Sequence, residues 1–376
     1  MSPSARNALV IGGGFSGMAA AIELAKRDIH VTLVELDPAW RSYGAGISLG
    51  GATLRAFRTL GILHDFLRDG NAADGLDLVT PHGQPIGQIP TPRVAGADVP
   101  GGGAIMRPVL AKLMAEATRR AGVTVRLGCS FTSIQQDEEG VEVGFSDGSQ
   151  GRFDVVIGAD GLHSKMRQLL FPDAPKPRYT GQGCWRAVLP RPAEVERARM
   201  WMGGVVKPGI NPVSADRMYL FVTEQRADNA HIPVAQQPAL LRELLAPFPA
   251  ALLQQIRDQI DETAQVVYRP LESLLLPQPW FQGRVVLIGD AVHATTPHLA
   301  SGACIGIEDG LVVAEELGRA ASVVEALGAF QARRWERCRM VVENSGRLGE
   351  IEITGGDKQE HQRIMGESMM ALAQPI

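Results

Sequence analysis

Ala8-Leu9-Val10-Ile11-Gly12-Gly13-Gly14-Phe15-Ser16-Gly17 is the stretch on which the reading of the fold turns. Four apolar residues in a row suit a buried parallel strand, and the run breaks at once into glycine. An Ala-rich segment from Met18 to Arg27 then has helical character, and a second apolar run, His30 to Val34, ends on Glu35. Strand, glycine turn, helix, strand and acid in that order predict a dinucleotide-binding βαβ unit. Gly12 lets the chain turn off the strand, Gly14 leaves room for a pyrophosphate, and Gly17 lets the helix pack closely on the sheet. The free N–H groups and positive dipole end of that helix face the phosphates. Glu35 lies 18 residues past Gly17, placed to accept hydrogen bonds from ribose hydroxyls. Its charge repels a 2′-phosphate, which favours an unphosphorylated adenosine such as that of FAD or NAD.

Length and composition bound the rest. A chain of 376 residues holds two domains, or one large domain with an insertion. At 45% apolar and 21% charged it has an ordinary globular composition. Its net charge of −4 arises from 37 basic and 41 acidic residues, well mixed along the chain. No basic stripe points to nucleic acid as a partner. Cys129, Cys184, Cys304 and Cys338 are widely spaced and form no CxxC pair, so neither a disulfide framework nor a zinc site is expected. No signal core or run of about 20 apolar residues stands out, and the expectation is a cytoplasmic protein with no membrane span.

Outward from the fingerprint, Gly44 to Gly51 is a glycine-rich loop with Ile47 and Leu49 in it, followed by helix from Ala52 to Leu67 broken at Gly61. Leu76 to Thr80 and Gln84 to Ile89 read as a hairpin around Pro81-His82-Gly83. A helix from Val109 to Ala121 and short strands up to Phe145 precede a further buried strand, Asp154 to Gly158, which ends in Ala159-Asp160-Gly161. Between about Pro175 and Pro277 the pattern is antiparallel, with strands at Cys184–Leu189, Arg199–Met202 and Arg217–Thr223, then one amphipathic helix from Pro238 to Ile260. This excursion is expected to pair with the 76–89 hairpin and cover the mouth of the dinucleotide domain. Gly283 to Asp290 returns as a buried strand ending in an acid, followed by helices at Ile305–Arg319 and Val323–Ser345 and a polar terminal helix.

Three glycine and acid stations thus stand at strand ends: Gly12–Gly17 with Glu35, Asp160-Gly161, and Gly289-Asp290. Together they resemble the aromatic-hydroxylase class of single-component flavoprotein monooxygenases, the para-hydroxybenzoate hydroxylase family, near its hydroxynicotinate, salicylate and urate hydroxylase branches. The resemblance spans almost the whole chain and is strongest at Gly12–Glu35, Gly158–Arg167 and Gly283–Gly310. It implies an α/β fold: a Rossmann-like FAD-binding domain (1–70, 106–174 and 277–345), an inserted mixed β-sheet substrate domain (71–105 and 175–276) and a C-terminal helical tail (346–376).

It also implies roles. Gly12, Gly14, Gly17 and Glu35 bind the ADP half of FAD, and Arg41 and Arg107 match arginines near the flavin's ribose and phosphates. Asp160 belongs to a motif that serves both FAD and the incoming nucleotide, and Asp290 binds the ribityl chain or its neighbouring phosphate. Pro297, Gly302 and Ala303 lie along the isoalloxazine ring, with the following helix turning its positive end to the ring's O2/N1 edge. The chain reads Ala300-Ser301-Gly302 where many members read Gly-Gln-Gly, and the small residues still permit close approach. No second fingerprint exists, so NADH or NADPH docks transiently as reductant.

The implied reaction reduces FAD, captures O2 as a flavin hydroperoxide and transfers one oxygen to an electron-rich aromatic or N-heteroaromatic ring. Ser48 stands where some relatives carry a histidine, and is read as a hydrogen-bonding partner of the cofactor. His298, next to Pro297, is the candidate for touching substrate, whereas His293 reads as structural. Lys207 and Tyr219 match an arginine and tyrosine of the urate hydroxylases at the same separation, though lysine lacks the arginine fork. Arg186 is a further candidate for pairing a substrate carboxylate, and Cys304 reads as a plain small residue at a helix start. No metal is expected. Two other readings stay open: a flavin-dependent reductase or dehydrogenase, which would turn over without O2, and a non-catalytic FAD-binding module. Apolar helices near the end leave a homodimer open.

Overall fold

The computed structural model describes residues 3–42 and 44–376. Among these, four sheets are formed. The first has six strands in the order Phe281–Gln282, Val285–Leu287, Val155–Gly158, Asn7–Ile11, His30–Glu35, Thr124–Leu127. All neighbours are parallel except the edge pair Phe281–Gln282 and Val285–Leu287. In its centre Ala8 pairs with Val155 and Asn7 with His30. Ala8 to Ile11 are fully buried, as expected for a strand covered on both faces. The three stations therefore emerge side by side, at the carboxyl ends of adjacent or nearby strands, where ligands bind in open α/β sheets.

The second large sheet has seven strands: Val266–Ser273, Arg178–Pro190, Arg217–Gln225, Lys207–Pro212, Ala198–Trp201, Leu76–Val79, Pro85–Ile89. The hairpin near the N-terminal third joins it through a parallel pairing, Ala198 to Leu76, inside an otherwise antiparallel sheet, so the sheet is mixed. It carries its own core, in which Trp185, Trp201 and Leu220 pack against Leu241 and Leu253.

Several elements depart from the sequence reading. The helix expected over 238–260 is two, Gln237–Leu245 and Ala251–Asp258, because Pro247 and Pro249 between them cannot continue a helix. Lys207–Pro212, rich in proline and glycine, was not read as a strand, yet it is buried along its whole length between two partners. Val266–Ser273 likewise forms an edge strand. The glycine-rich loop contains a strand, Gly46–Gly50, paired with Gly102–Met106. The helix expected to end at Ser345 runs unbroken from Val323 to Thr354, and Lys358–Ala373 follows it. No helix among the described residues is long and apolar enough to cross a membrane.

Candidate functional site

A cavity of about 2730 Å³ lies between the two large sheets. Ligand pockets for one drug-sized molecule are roughly 300–1,000 Å³, so this one has room for a dinucleotide and a second ring. Its inner wall brings together Gly14, Arg41, Arg107, Asp290, Pro297, Gly302 and Ala303; its outer wall carries Ser48, Lys207, Tyr219, Arg186 and His298. Gly12, Gly17, Glu35 and Asp160 do not line it but build the wall from behind.

The glycine turn is held by Glu35. Its carboxylate accepts the Gly13 N–H at 2.7 Å and the Asp37 N–H at 2.8 Å. Trp40 Nε1–H donates to the Gly13 carbonyl at 2.8 Å. Gly12 sits at φ +107°, and a Cβ on Gly17 would stand 2.0 Å from the Gly12 carbonyl oxygen, so turn and helix touch backbone to backbone. Gly14, by contrast, would direct a Cβ away from every protein atom within 4 Å, at the cavity wall. Arg41 is exposed beside Asp37, with which it pairs at 3.1 Å. Arg107 is exposed at the cavity, with its guanidinium 5.1 Å from the Phe15 ring centre.

Asp160 spends its carboxylate on the next helix, accepting from Ser164 Oγ at 2.5 Å and Met166 N at 3.0 Å. Arg167 then crosses to the third station, donating to the Ala291 carbonyl at 2.8 Å. Asp290 is exposed at the cavity; desolvation by the surrounding protein raises its carboxyl above the usual range, while His293 and Arg107 oppose that rise.

Beneath Asp290 lies a buried group that the sequence reading did not assemble. Asp309 accepts the Gly289 N–H at 2.9 Å, faces His293 Nε2 at 2.5 Å and receives Arg334 Nε at 2.8 Å. Burial alone would lower the His293 pKa, but the Asp309 carboxylate holds the imidazole well above its ordinary value. Burial alone would raise Asp309, and the His293 and Arg334 charges bring it down to about 2. His293, Asp309 and Cys338 offer ligand atoms within 4.8 Å of one another, but the Arg334 guanidinium already supplies the cation there. Cys304, at the next helix start, is buried, and burial pushes its thiol up, so it is an inert small residue.

On the outer wall Tyr219 Oη meets Ser48 Oγ at 2.5 Å, and Asn211 Nδ2 donates to the same Ser48 oxygen at 3.0 Å. Ser48 is thus engaged by the second sheet. Asn211 comes from the strand Lys207–Pro212, which the sequence pattern does not reveal as a strand. Burial pushes the Tyr219 phenol above its ordinary pKa although the Ser48 hydrogen bond opposes it, so the group is a neutral hydrogen-bonding phenol at pH 7. His298 Nδ1 faces Thr296 Oγ1 at 2.8 Å, and its Nε2 lies 3.2 Å from Glu352. Lys207 is paired with the same Glu352, which the sequence reading had left in the terminal tail.

A fingerprint turn on a parallel sheet, with a cavity large enough for a dinucleotide and a ring, defines a flavin-type dinucleotide enzyme. The donor set and the open cradle at Gly14 fit such a cofactor. A family model described as FAD binding domain matches residues 6–345, and the chain belongs to that family. It is 30% identical over 350 residues to the aurachin C monooxygenase/isomerase of Stigmatella aurantiaca, covering 91% of this chain and 88% of that one. It is 31% identical over 353 residues to the 2-heptyl-3-hydroxy-4(1H)-quinolone synthase of Pseudomonas aeruginosa, covering 92% and 90%. The crystal structure of Klebsiella pneumoniae HpxO complexed with FAD and uric acid shares the fold, with a TM-score of 0.80 at 24% identity, covering 98% of this chain and 93% of that one. The chain is an FAD-dependent monooxygenase of the aromatic hydroxylase type, with NAD(P)H as reductant.

Proposed function

We propose that the enzyme hydroxylates an electron-rich aromatic or N-heteroaromatic ring that bears an apolar substituent. What supports this reading is the character of the cavity: beside the polar residues already described, its wall carries an apolar set through Leu76, Leu78, Met200, Met202, Met365 and Met369. Unbranched, polarisable methionine side chains adapt to a flexible apolar tail. Two relatives in the same family are named for aurachin C and for a heptyl-substituted quinolone.

Bound FAD supplies the redox and oxygen chemistry. The chain's residues bind, orient and exclude water. Gly12, Gly14, Gly17 and Glu35 take the ADP half, Arg41, Arg107, Asp160 and Asp290 the phosphate and ribityl region, and Pro297, Gly302 and Ala303 the ring. Tyr219, with Ser48 and Asn211, holds the polar edge of the substrate as a hydrogen-bonding unit; being protonated at neutral pH, Tyr219 is not the base. His298 and Lys207 flank the ring. FAD binding falls to 1–70, 106–174 and 277–345, substrate binding to 71–105 and 175–276, and the setting is the cytoplasm.

The test is a series of 2-alkyl-4-quinolones of rising chain length, scored by O2-dependent NAD(P)H oxidation and product mass. We expect a gain of one oxygen, and KM falling about fourfold per buried methylene, from about 0.8 kcal/mol each. Flat KM values across the series would remove the apolar-tail reading, and anaerobic turnover would favour a dehydrogenase. Tyr219→Phe keeps the ring packed on Gly46 but removes the hydroxyl. It should lower kcat/KM about tenfold, the worth of a hydrogen bond lost from a buried cluster, with little change in Tm.

A further inference from the structure

Four polar side chains from four separate elements meet at one end of the cavity. Lys207 comes from the strand Lys207–Pro212, His298 from the turn Pro297–Leu299, Glu352 from the helix Val323–Thr354 and His361 from the helix Lys358–Ala373. All four line the cavity. Lys207 and Glu352 form an ion pair with side chains only 10% and 8% exposed. His361 Nε2 lies 3.2 Å from Glu352 Oε1 and His298 Nε2 lies 3.2 Å from Oε2. The long helix can come this close because residue 349, one turn earlier, is glycine; a Cβ there would stand 2.9 Å from His298 Cε1.

The second sheet places three cations at the chamber where a ring substrate must lie, Arg186, Lys207 and Arg269, and Lys207 is the one set in an ion pair with Glu352. A buried ammonium with no counter-charge would recruit an anion, because its desolvation has to be compensated by an opposite charge. Here the counter-charge is built in. Burial would raise the Glu352 carboxyl, but His298, His361 and the Lys207 charge together hold it well below the usual carboxylate range, so it is ionised throughout the working pH range.

We propose that Glu352 is the charge selector at the Lys207 end of the substrate chamber: by occupying Lys207 it turns that end from one that takes a ring carboxylate into one that takes an uncharged ring substituent. This rests on the reading of the cavity as the site of an aromatic ring. It assigns specificity to the C-terminal helices, outside segments 71–105 and 175–276. Glu352 acts through Lys207 and is a positioning residue. Glu352→Gln is close in shape and leaves the ammonium unpaired in the chamber, converting the site to an anion receptor.

The experiment compares two probes of nearly the same shape, 3-hydroxy-2-naphthamide and 3-hydroxy-2-naphthoate, binding to oxidised holoenzyme. Binding is measured by calorimetry at pH 7, where a carboxylic acid is ionised and a phenol is not. Wild type is expected to bind the amide at least about tenfold more tightly than the carboxylate, since an anion meets a filled cation site. Glu352→Gln should tighten the carboxylate about tenfold or more and leave the amide nearly unchanged. The double variant Lys207→Met/Glu352→Gln removes both buried charges together, which buried pairs tolerate far better than loss of one partner, and it should prefer the amide again. A wild type that binds the carboxylate as tightly as the amide overturns the proposal by itself, whether or not the single variant folds. So does a double variant that keeps the gain for the carboxylate. Because the readout is binding without turnover, failure to find a hydroxylated product would count against the proposed reaction and leave this comparison intact.

Discussion

Gly14→Val is expected to give a folded protein that no longer retains FAD. A Cβ at this position meets no protein atom within 4 Å, and the backbone, at φ −73° and ψ 179°, is one that valine adopts freely. The only structural penalty is a poorer N-cap for the helix Phe15–Ala25, about 1 kcal/mol. In the holoprotein, however, the isopropyl group would project into the cavity where, on the proposed assignment of this turn, the cofactor's pyrophosphate approaches the backbone. Affinity for FAD should fall about 100-fold or more, equivalent to about 2.7 kcal/mol, while the apoprotein's Tm moves by only a few degrees. Gly17→Ala makes the opposite case. Its Cβ would stand 2.0 Å from the Gly12 carbonyl oxygen, with no flexible side chain to yield, so the fold itself should suffer. A Gly14→Val protein that purifies yellow with a full complement of FAD would refute the assignment of this turn to the phosphates.

The second large effect is expected at Asp309. Asp309→Ala removes the acceptor for Gly289 N–H and leaves the buried His293 and Arg334 without their shared carboxylate. Breaking a buried network by removing one partner costs about 3–5 kcal/mol. Because Gly289 precedes Asp290 directly, loss of FAD affinity should accompany the loss of stability even though Asp309 does not line the cavity. The pH dependence has a definite sign. His293 has a raised pKa in the folded state, so its contribution is complete below the unfolded value of about 6.5 and declines as pH rises through the folded one. Asp309 has a lowered pKa, so its contribution is complete above about 3.9 and is lost as pH falls toward about 2. The stability difference between wild type and Asp309→Ala, from denaturant melts, should therefore be largest between about pH 4 and 6.5. A difference that did not vary with pH would argue that the pair is not ionised as described.

Sequence signals were strongest where the physical constraint is local. The Ala8–Ile11 run, the glycine turn and Glu35 lie within about thirty residues, and each is dictated by backbone sterics or strand burial that a short window contains. The hairpin at 76–89 and its place in the second sheet were likewise legible from turn chemistry. Misreadings came where tertiary burial overrode local preference: Lys207–Pro212 holds two prolines and a glycine, yet runs as an inner strand between two neighbours. From that strand Asn211 reaches Ser48 beside Tyr219, a meeting that local preference does not announce.

What the sequence by itself determined is the dinucleotide half of this protein and its chemical class, because glycine spacing and apolar runs encode the turn, the strands and the helix start directly. What only the tertiary structure decided is the furnishing of the chamber. Ser48 meets Tyr219 across 171 residues, and Lys207 meets Glu352 across 145. Asp309 gathers His293 and Arg334 from 16 and 25 residues away. Side chains so separated are brought together by the packing of whole sheets and helices, and no periodicity or spacing in the chain carries that information.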